Sequence, residues 1–187
     1  MSFPKNLLWG ASISAFQAEG AKTEDDKGLT VADKRCEEVK NRLHTADTSI
    51  ASDFYHHYHE DIKLMKECGL KSFRFSISWA RIFPKGNGKI NQKGINFYND
   101  VINELIRNDI VPIVNLFHFD LPQGLIDQYK GFVSRRCIED FVNYAHVCFE
   151  SFWDRVPYLL TINEQDVIAN IPFFNGLIDI NHSFQLG

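Results

Sequence analysis

Short apolar segments alternate with amphipathic helical segments along this chain, and this alternation restricts the possible folds more than any other feature. The pattern predicts strands at residues 7–11, 72–77, 111–116 and 158–162, and helices at residues 53–68, 94–108 and 138–155. The connections from helix to strand are short, whereas those from strand to helix are long. Such a pattern is typical of a parallel sheet with helices packed outside it. The polar residues 22–47 have little periodicity, and we expect them to form a long loop.

Four strands are half the number that a closed (β/α)8 barrel needs. A complete barrel takes roughly 200 residues at minimum and about 250 typically, whereas this chain has 187. We therefore expect residues 1–187 to form a single α/β domain, a partial TIM barrel with about the first four βα units. An open half-barrel of this kind leaves an edge strand and an apolar face exposed.

Composition and charge exclude several classes of protein. The net charge of −4 argues against a nucleic-acid partner, because phosphate binding requires a basic surface. No apolar run approaches the roughly 20 residues that cross a bilayer, and residues 1–6 lack the apolar core of a secretory signal. The four cysteines have no Cys-x-x-Cys spacing. Reduced thiols in a cytoplasmic protein are the simplest interpretation, and we expect no metal site.

Polar side chains occur at the predicted strand ends. Gln17 follows the first strand, Arg74 lies in the second, His118 ends the third, and Asn163 and Glu164 end the fourth. The carboxyl ends of parallel strands meet at one rim, where barrel enzymes carry their chemistry. Amide, imidazole and guanidinium groups around a carboxylate, with aromatic rings among them, suit a hydroxyl-rich ligand.

Each of these residues also has a purely structural interpretation. Gln17 could be an ordinary loop residue, and Arg74 could pair with a structural acid inside the sheet. His118 could be a core histidine whose hydrogen bonds are satisfied. Glu164 could cap the next helix, because acidic residues favour helix N-termini. Four strands that deliver polar groups to the same rim favour the functional interpretation.

Four motifs in the chain resemble those of glycoside hydrolase family 1, in the family's order. They are residues 3–20, the Arg-Phe-Ser-Ile-Ser-Trp segment within 74–84, the His-Phe-Asp-Leu-Pro of 118–122, and the Thr-Ile-Asn-Glu of 161–164. Residues 47–55 look closest to the bacterial 6-phospho-β-glucosidase branch of that family. Two departures are Phe119, where tryptophan is usual, and Pro157, where lysine is frequent just ahead of the fourth strand.

The resemblance implies a role for each rim residue. Glu164 would be the general acid/base of a retaining β-glycosidase, and Asn163 would hold the sugar 2-hydroxyl. Gln17 and His118 would bind other hydroxyls of the substrate. Arg74 would lie beside the nucleophile and keep it ionised. No cofactor is implied.

The nucleophile that retaining chemistry needs is missing from the motifs. In the family it lies in a Glu-Asn-Gly motif on strand seven, and this sequence contains no such motif. Glu19 and Asp120 are acids near the same rim, but the family pattern gives neither of them that role. We therefore expect a fragment of a retaining β-glycosidase, specific for β-glucosides or 6-phospho-β-glucosides and inactive until a complementary C-terminal half-barrel joins it. The alternative is a catalytically inactive half-barrel that self-associates as a homo-oligomer or only binds sugar.

Overall fold

The computed structural model describes residues 3–43 and 47–170. Four parallel strands form one sheet in the order of the sequence. They are β1 (Gly10–Ser12), β2 (Ser72–Ser76), β3 (Val111–Phe117) and β4 (Tyr158–Ile162). In the register of the sheet, Ser12 is opposite Arg74, Arg74 is opposite Ile113, and Ile113 is opposite Tyr158. The parallel sheet and the predicted half-barrel are therefore confirmed.

Eight helices connect or follow the strands in the described part of the chain. They are α1 (Ala15–Ala18), α2 (Val31–Leu43), α3 (Phe54–Glu67), α4 (Trp79–Ile82), α5 (Gln92–Arg107), α6 (Gln123–Tyr129), α7 (Arg136–Phe152) and α8 (Gln165–Asn170). Single 3₁₀ turns occupy Glu24–Asp26 and Gly131–Val133. Helices α3, α5 and α7 are the three that periodicity predicts. Within the described residues, no helix combines the length and the apolar character needed to cross a bilayer.

Helix α5 shows how the sequence determines these elements. The Asn91 side chain caps it by accepting a hydrogen bond from the Lys93 N–H at 3.2 Å, which satisfies one of the free donors of the first turn. Its apolar residues recur every three or four positions, so that Tyr98, Val101 and Leu105 are buried against the sheet.

Helix α2 is a correction, because the sequence predicts a loop over residues 22–47. Its first turn is held by reciprocal hydrogen bonds: the Asp33 N–H donates to the Thr30 hydroxyl at 3.1 Å, and the Thr30 N–H donates to the Asp33 carboxylate at 2.9 Å. This capping box fixes the start of a helix whose later residues are mostly polar. The Thr-x-x-Asp spacing is the sequence signal for the start of this helix. The weak apolar periodicity of the residues that follow makes the helix itself hard to predict.

The two faces of the sheet differ. Phe73, Phe75 and Ile77 pack under the helices, whereas Arg74 and Ser76 alternate onto the opposite, concave face. That helix-side core continues along the chain through the stacked rings of Trp79 and Tyr144, whose centroids are 4.9 Å apart.

Among the described residues, each of the two outer strands, β1 and β4, is paired on one side only. All three residues of β1 are exposed, and so are Tyr158 and Leu160 of β4. Pro157 lies immediately before β4 and not within it, so the strand loses no ladder donor. The exposure that the sequence predicts for an open half-barrel is thus present. That residues 1–187 form one domain stays a prediction.

Candidate active site

The five predicted site residues lie at or beyond the carboxyl-terminal side of the strands. Arg74 is in β2, His118 directly follows β3, and Asn163 and Glu164 directly follow β4. Gln17 is in α1, the short helix that follows β1. Since all strands are parallel, these side chains come to one rim of the sheet.

Arg74, Asn163 and His118 form a continuous polar row across three strands. An Arg74 guanidinium N–H donates to the Asn163 Oδ1 at 2.7 Å. The Asn163 Nδ2 lies 3.5 Å from the His118 Nε2, at the limit of a hydrogen bond. Arg74 thereby orients the Asn163 amide, so that its oxygen faces the guanidinium and its NH₂ faces the imidazole and the rim.

The His118 imidazole is biased toward its neutral form. Burial lowers its pKa, the positive charge of Arg74 lowers it further, and the carboxylate of Glu164 opposes both effects. A neutral imidazole has one N–H donor and one acceptor nitrogen. The Nδ1 atom is buried without a hydrogen-bond partner among the described residues. The ring is therefore positioned by packing and by Asn163.

Gln17 lies at the same rim, and residues next to it in the sequence contact His118 and β2. Its side-chain oxygen accepts a hydrogen bond from the Ser14 hydroxyl at 2.5 Å, and the side chain is exposed. The neighbouring Phe16 ring lies 6.3 Å from the His118 ring. The start of α1 is tied to β2, because the Ala15 N–H donates to the Ser76 hydroxyl at 2.8 Å.

Glu164 is exposed and has an unusual backbone conformation. Its φ is +47°, in the left-handed region that non-glycine residues rarely adopt. Its carbonyl accepts the Ile168 N–H at 3.2 Å, so the backbone participates in the first turn of α8. The carboxylate itself makes no hydrogen bond or ion pair with any residue that the structure describes. Helix capping by this side chain is therefore not what holds it at the rim.

The two other acids near the rim are buried in structural contacts. The Glu19 carboxylate accepts hydrogen bonds from Arg81 Nε and from the Tyr98 hydroxyl, both at 2.7 Å. Asp120 is 1% exposed, and burial raises its pKa to about 7, which the positive charge of Lys27 opposes. Neither carboxylate faces the open rim, so neither is placed to attack a bound sugar.

A second layer of polar contacts fixes the ends of β3 and β4, and the motifs alone do not reveal it. The Phe117 carbonyl accepts both the Asn163 N–H at 2.9 Å and the Asn115 side-chain N–H at 3.0 Å. One residue earlier in β3, the Leu116 carbonyl accepts a hydrogen bond from the Tyr144 hydroxyl at 2.8 Å. Asn115 could have been suspected from the sequence, because an amide two residues before the end of an apolar strand is unusual.

Comparison with known proteins gives a consistent result. The family model for glycosyl hydrolase family 1 matches residues 1–181. Over 181 residues the chain is 46% identical to the aryl-phospho-beta-D-glucosidase BglC of Bacillus subtilis, covering 97% of this chain and 37% of that protein. It is 48% identical to beta-glucosidase 10 of Arabidopsis thaliana, covering 97% of this chain and 35% of that protein. The chain thus spans about a third of the length of these curated relatives.

Solved structures agree on the fold. A rice beta-glucosidase, Os3BGlu6, superimposes with a TM-score of 0.86 at 42% identity, covering 89% of this chain and 35% of the rice chain. A beta-glucosidase from Thermotoga maritima in complex with cyclophellitol gives 0.85 at 38% identity, covering 89% of this chain and 38% of that one. With four ordered motifs, a matching family model and this shared half-barrel, the chain belongs to glycosyl hydrolase family 1.

Proposed function

We propose that this chain provides the acid/base half of a retaining β-glycosidase active site. In this proposal Glu164 donates a proton to the glycosidic oxygen and later removes one from the attacking water. Asn163, His118 and Gln17 bind the sugar hydroxyls. A carboxylate from strands that complete the barrel attacks the anomeric carbon and forms the glycosyl–enzyme intermediate. Retaining chemistry places two such carboxyl groups about 5–5.5 Å apart.

The observation that carries this proposal is the electrostatic state of Arg74. Its guanidinium is half-buried and donates to the neutral Asn163 amide, while its Nε is buried without a partner among the described residues. No described carboxylate lies within ion-pair distance of it. Removing part of a charge from water costs free energy, and a neighbouring anion would offset that cost. A nucleophilic carboxylate beside Arg74 would supply that anion, and the cation would keep it ionised at neutral pH.

The position of Glu164 suits the acid/base role. An acid must reach the leaving-group oxygen, so an exposed carboxylate beside the row of sugar-binding groups is better placed than a buried one. The Asn163 amide is one residue away and is already held by Arg74 at 2.7 Å. A hydrogen bond from this fixed amide to a sugar hydroxyl requires no reorganisation during the reaction, which is how preorganised donors lower a barrier.

The substrate we propose is a β-glucoside or a 6-phospho-β-glucoside. The similarity to an aryl-phospho-beta-D-glucosidase supports the phosphorylated class, and the similarity to plant beta-glucosidases supports the plain one. The sequence identities to these two kinds of relative are nearly equal, so the sequence of this chain favours neither substrate class. We propose that the remaining strands, which complete the sugar pocket, determine the choice.

A chimera tests the assignment of Glu164. Residues 1–164 of this chain would replace the matching segment of the Bacillus relative, and the product would be assayed with nitrophenyl β-glucoside and its 6-phosphate. We expect turnover, and a loss of at least about a hundredfold with Glu164→Gln, since a positioned general acid contributes roughly 10²–10⁴-fold. Glu60→Gln, on the exposed surface of α3, is the matched control. Equal loss in both variants, or none in either, would contradict the proposal.

Sugar binding can be tested separately on the chain itself. Calorimetric titration with cellobiose and with glucose 6-phosphate should show weak binding that Asn163→Ala abolishes. If the sugar binds but the chimera is inactive, the non-catalytic alternative is favoured. A cytoplasmic location is also part of the proposal, supported by the four cysteines, which form no disulfide among the described residues.

A further inference from the structure

We propose that Asn115 is a positioning residue for Glu164, acting through the carbonyl of Phe117 and the backbone of Asn163. The effect on catalysis rests on the proposed function, in which Glu164 is the general acid/base. The contacts concerned join the middle of β3 to its end and to the residue that follows β4. They account for how an exposed carboxylate is held at the rim.

Asn115 is an unusual residue for its place in the sheet. It is the only polar residue of β3, and it is 1% exposed. In the register of the sheet it is opposite Ser76, so its side chain lies on the concave face. Asparagine is depleted in strands, and burying its amide costs free energy that an apolar side chain would not cost. Strand formation therefore does not require this residue, and its hydrogen bond indicates its role.

The Asn115 amide and the end of β4 share one acceptor. The Asn115 Nδ2 donates to the Phe117 carbonyl at 3.0 Å, and the Asn163 backbone N–H donates to the same oxygen at 2.9 Å. A carbonyl oxygen has two lone pairs, so both donors can bind it together. The amide thus fixes the direction of the carbonyl, and the carbonyl fixes the backbone of Asn163.

This shared carbonyl connects Glu164 to the sheet. The last paired residues of β3 and β4 are Phe117 and Ile162, and the Asn163 N–H makes the next hydrogen bond. Beyond it the chain turns sharply, because Glu164 has a φ of +47°. On the later side, the Glu164 carbonyl accepts the Ile168 N–H within the first turn of α8. The position of Glu164 relative to the strands therefore depends on the backbone of Asn163.

Asn163 and Glu164 depend on this anchor to different degrees. The Asn163 side chain has a second anchor, because Arg74 donates to its Oδ1 at 2.7 Å. Among the described residues, the Glu164 carboxylate has no hydrogen bond that could replace the anchor. Loss of the Asn115 amide should therefore displace the acid/base carboxylate more than the sugar-binding amide. A general acid must lie within hydrogen-bond reach of the leaving oxygen, so a small displacement slows protonation.

Ser76 provides a matched control, because it lies beside Asn115 and supports a different part of the rim. Its hydroxyl accepts the Ala15 N–H at 2.8 Å, at the start of the helix that carries Gln17. Like Asn115, it is 1% exposed. Removing this hydroxyl leaves both hydrogen bonds to the Phe117 carbonyl in place. A general weakening of the sheet would affect the two segments alike, whereas positioning affects one of them.

Hydrogen exchange of the purified chain, followed by NMR, tests the positioning without any catalysis. In Asn115→Ala the Asn163 N–H should exchange at least about tenfold faster than in wild type, while the Ala15 N–H should not change. Ser76→Ala should show the reverse. Asn115→Val, which has high strand propensity, should repeat the result if the alanine variant folds poorly. Unchanged exchange at Asn163, or equal acceleration at Asn163 and Ala15, would overturn the proposal.

The consequence for catalysis can be measured in the chimera that carries residues 1–164. A dinitrophenyl β-glucoside needs little proton donation, because its leaving phenol is acidic, whereas a phenyl β-glucoside depends on it. Both are used in the plain or 6-phosphorylated form that the chimera hydrolyses. Asn115→Ala should lower kcat/KM at least about tenfold for the phenyl substrate and no more than about threefold for the dinitrophenyl substrate.

Ser76→Ala should lower kcat/KM by the same factor for both substrates, because Gln17 binds the sugar that they share. Equal losses on the two substrates in Asn115→Ala would overturn the proposal. A chimera that is inactive with Asn115 in place would contradict the proposed function instead. The exchange measurement on the chain would then still decide whether Asn115 positions Asn163.

Discussion

The buried Asp120 carboxyl should make the stability of this protein fall as pH rises, and Asp120→Asn should remove that dependence. The side chain is 1% exposed, so its carboxyl group is removed from solvent. Burial raises its pKa from 3.8 to about 7, against the opposing charge of Lys27. Between these two pKa values, the folded protein therefore keeps a proton on Asp120 that the unfolded chain has already lost.

The sign and size of the effect follow from proton linkage. Between pH 3.8 and about pH 7 the native state binds one more proton at this site than the unfolded state does. The free energy of unfolding therefore decreases by about 1.4 kcal/mol for each pH unit. The stabilisation that comes from this buried proton is fully present below the pKa of Asp120 in the unfolded chain. It is lost by the time the pH passes the higher pKa of Asp120 in the folded protein. Over pH 4.5 to 6.5 the loss is roughly 3 kcal/mol.

Urea unfolding followed by tryptophan fluorescence at several pH values would measure this effect. The quantity to compare is the difference in unfolding free energy between Asp120→Asn and wild type, because other titrating groups cancel in it. We expect that difference to rise by roughly 3 kcal/mol in favour of the variant from pH 4.5 to 6.5. Asp109→Asn, at a side chain that is 84% exposed, is the surface control. A difference for Asp120→Asn that does not change with pH would refute the reasoning.

Three further predictions concern the framework of the rim. Glu19→Gln leaves the buried Arg81 without its anion and should lower the free energy of unfolding in urea by about 3–5 kcal/mol. Glu60→Gln on the surface should change that free energy by no more than about 0.5 kcal/mol. Equally small losses for both variants would contradict the argument that the buried pair is stabilising. Tyr144→Phe removes a hydroxyl bonded to two strand carbonyls and should cost about 1–3 kcal/mol in thermal or urea unfolding, and an unchanged midpoint would show those bonds to be unimportant. At Glu164, whose φ is +47°, glycine should be more stable than alanine by about 1 kcal/mol, and the opposite order would argue that this backbone is unstrained.

The buried residues that support the site and the exposed residue Glu164 at its rim differ in how firmly their contacts hold them. The buried pair of Glu19 with Arg81 stabilises the segment that follows α1, the helix that carries Gln17, because Arg81 also donates to the Gly20 and Ala21 carbonyls at 3.2 and 3.4 Å. Among the residues that the structure describes, the Glu164 carboxylate has no such hydrogen bond, and its backbone has a φ of +47°. Strain and exposed charge at a functional position, supported by well-bonded neighbours, are the usual distribution in an active site.

Much of the fold follows from the sequence for local reasons. Helices α3, α5 and α7 and strands β2 to β4 have strong apolar periodicity, so their existence and order follow from burial alone. Helix α2 was missed because its later turns are polar and its first turn depends on a single capping box. Strand β1 begins at Gly10, three residues later than predicted, and the apolar residues that precede it are exposed.

The sequence by itself determined the order of the strands, the family of the chain and the identity of the residues at the rim, because periodicity and motifs are local properties. Only the tertiary structure showed that Arg74 holds Asn163, that His118 is partly buried beside a cation, and that Asp120 lies in the core. These properties depend on distances between residues far apart in the chain, which no local pattern specifies.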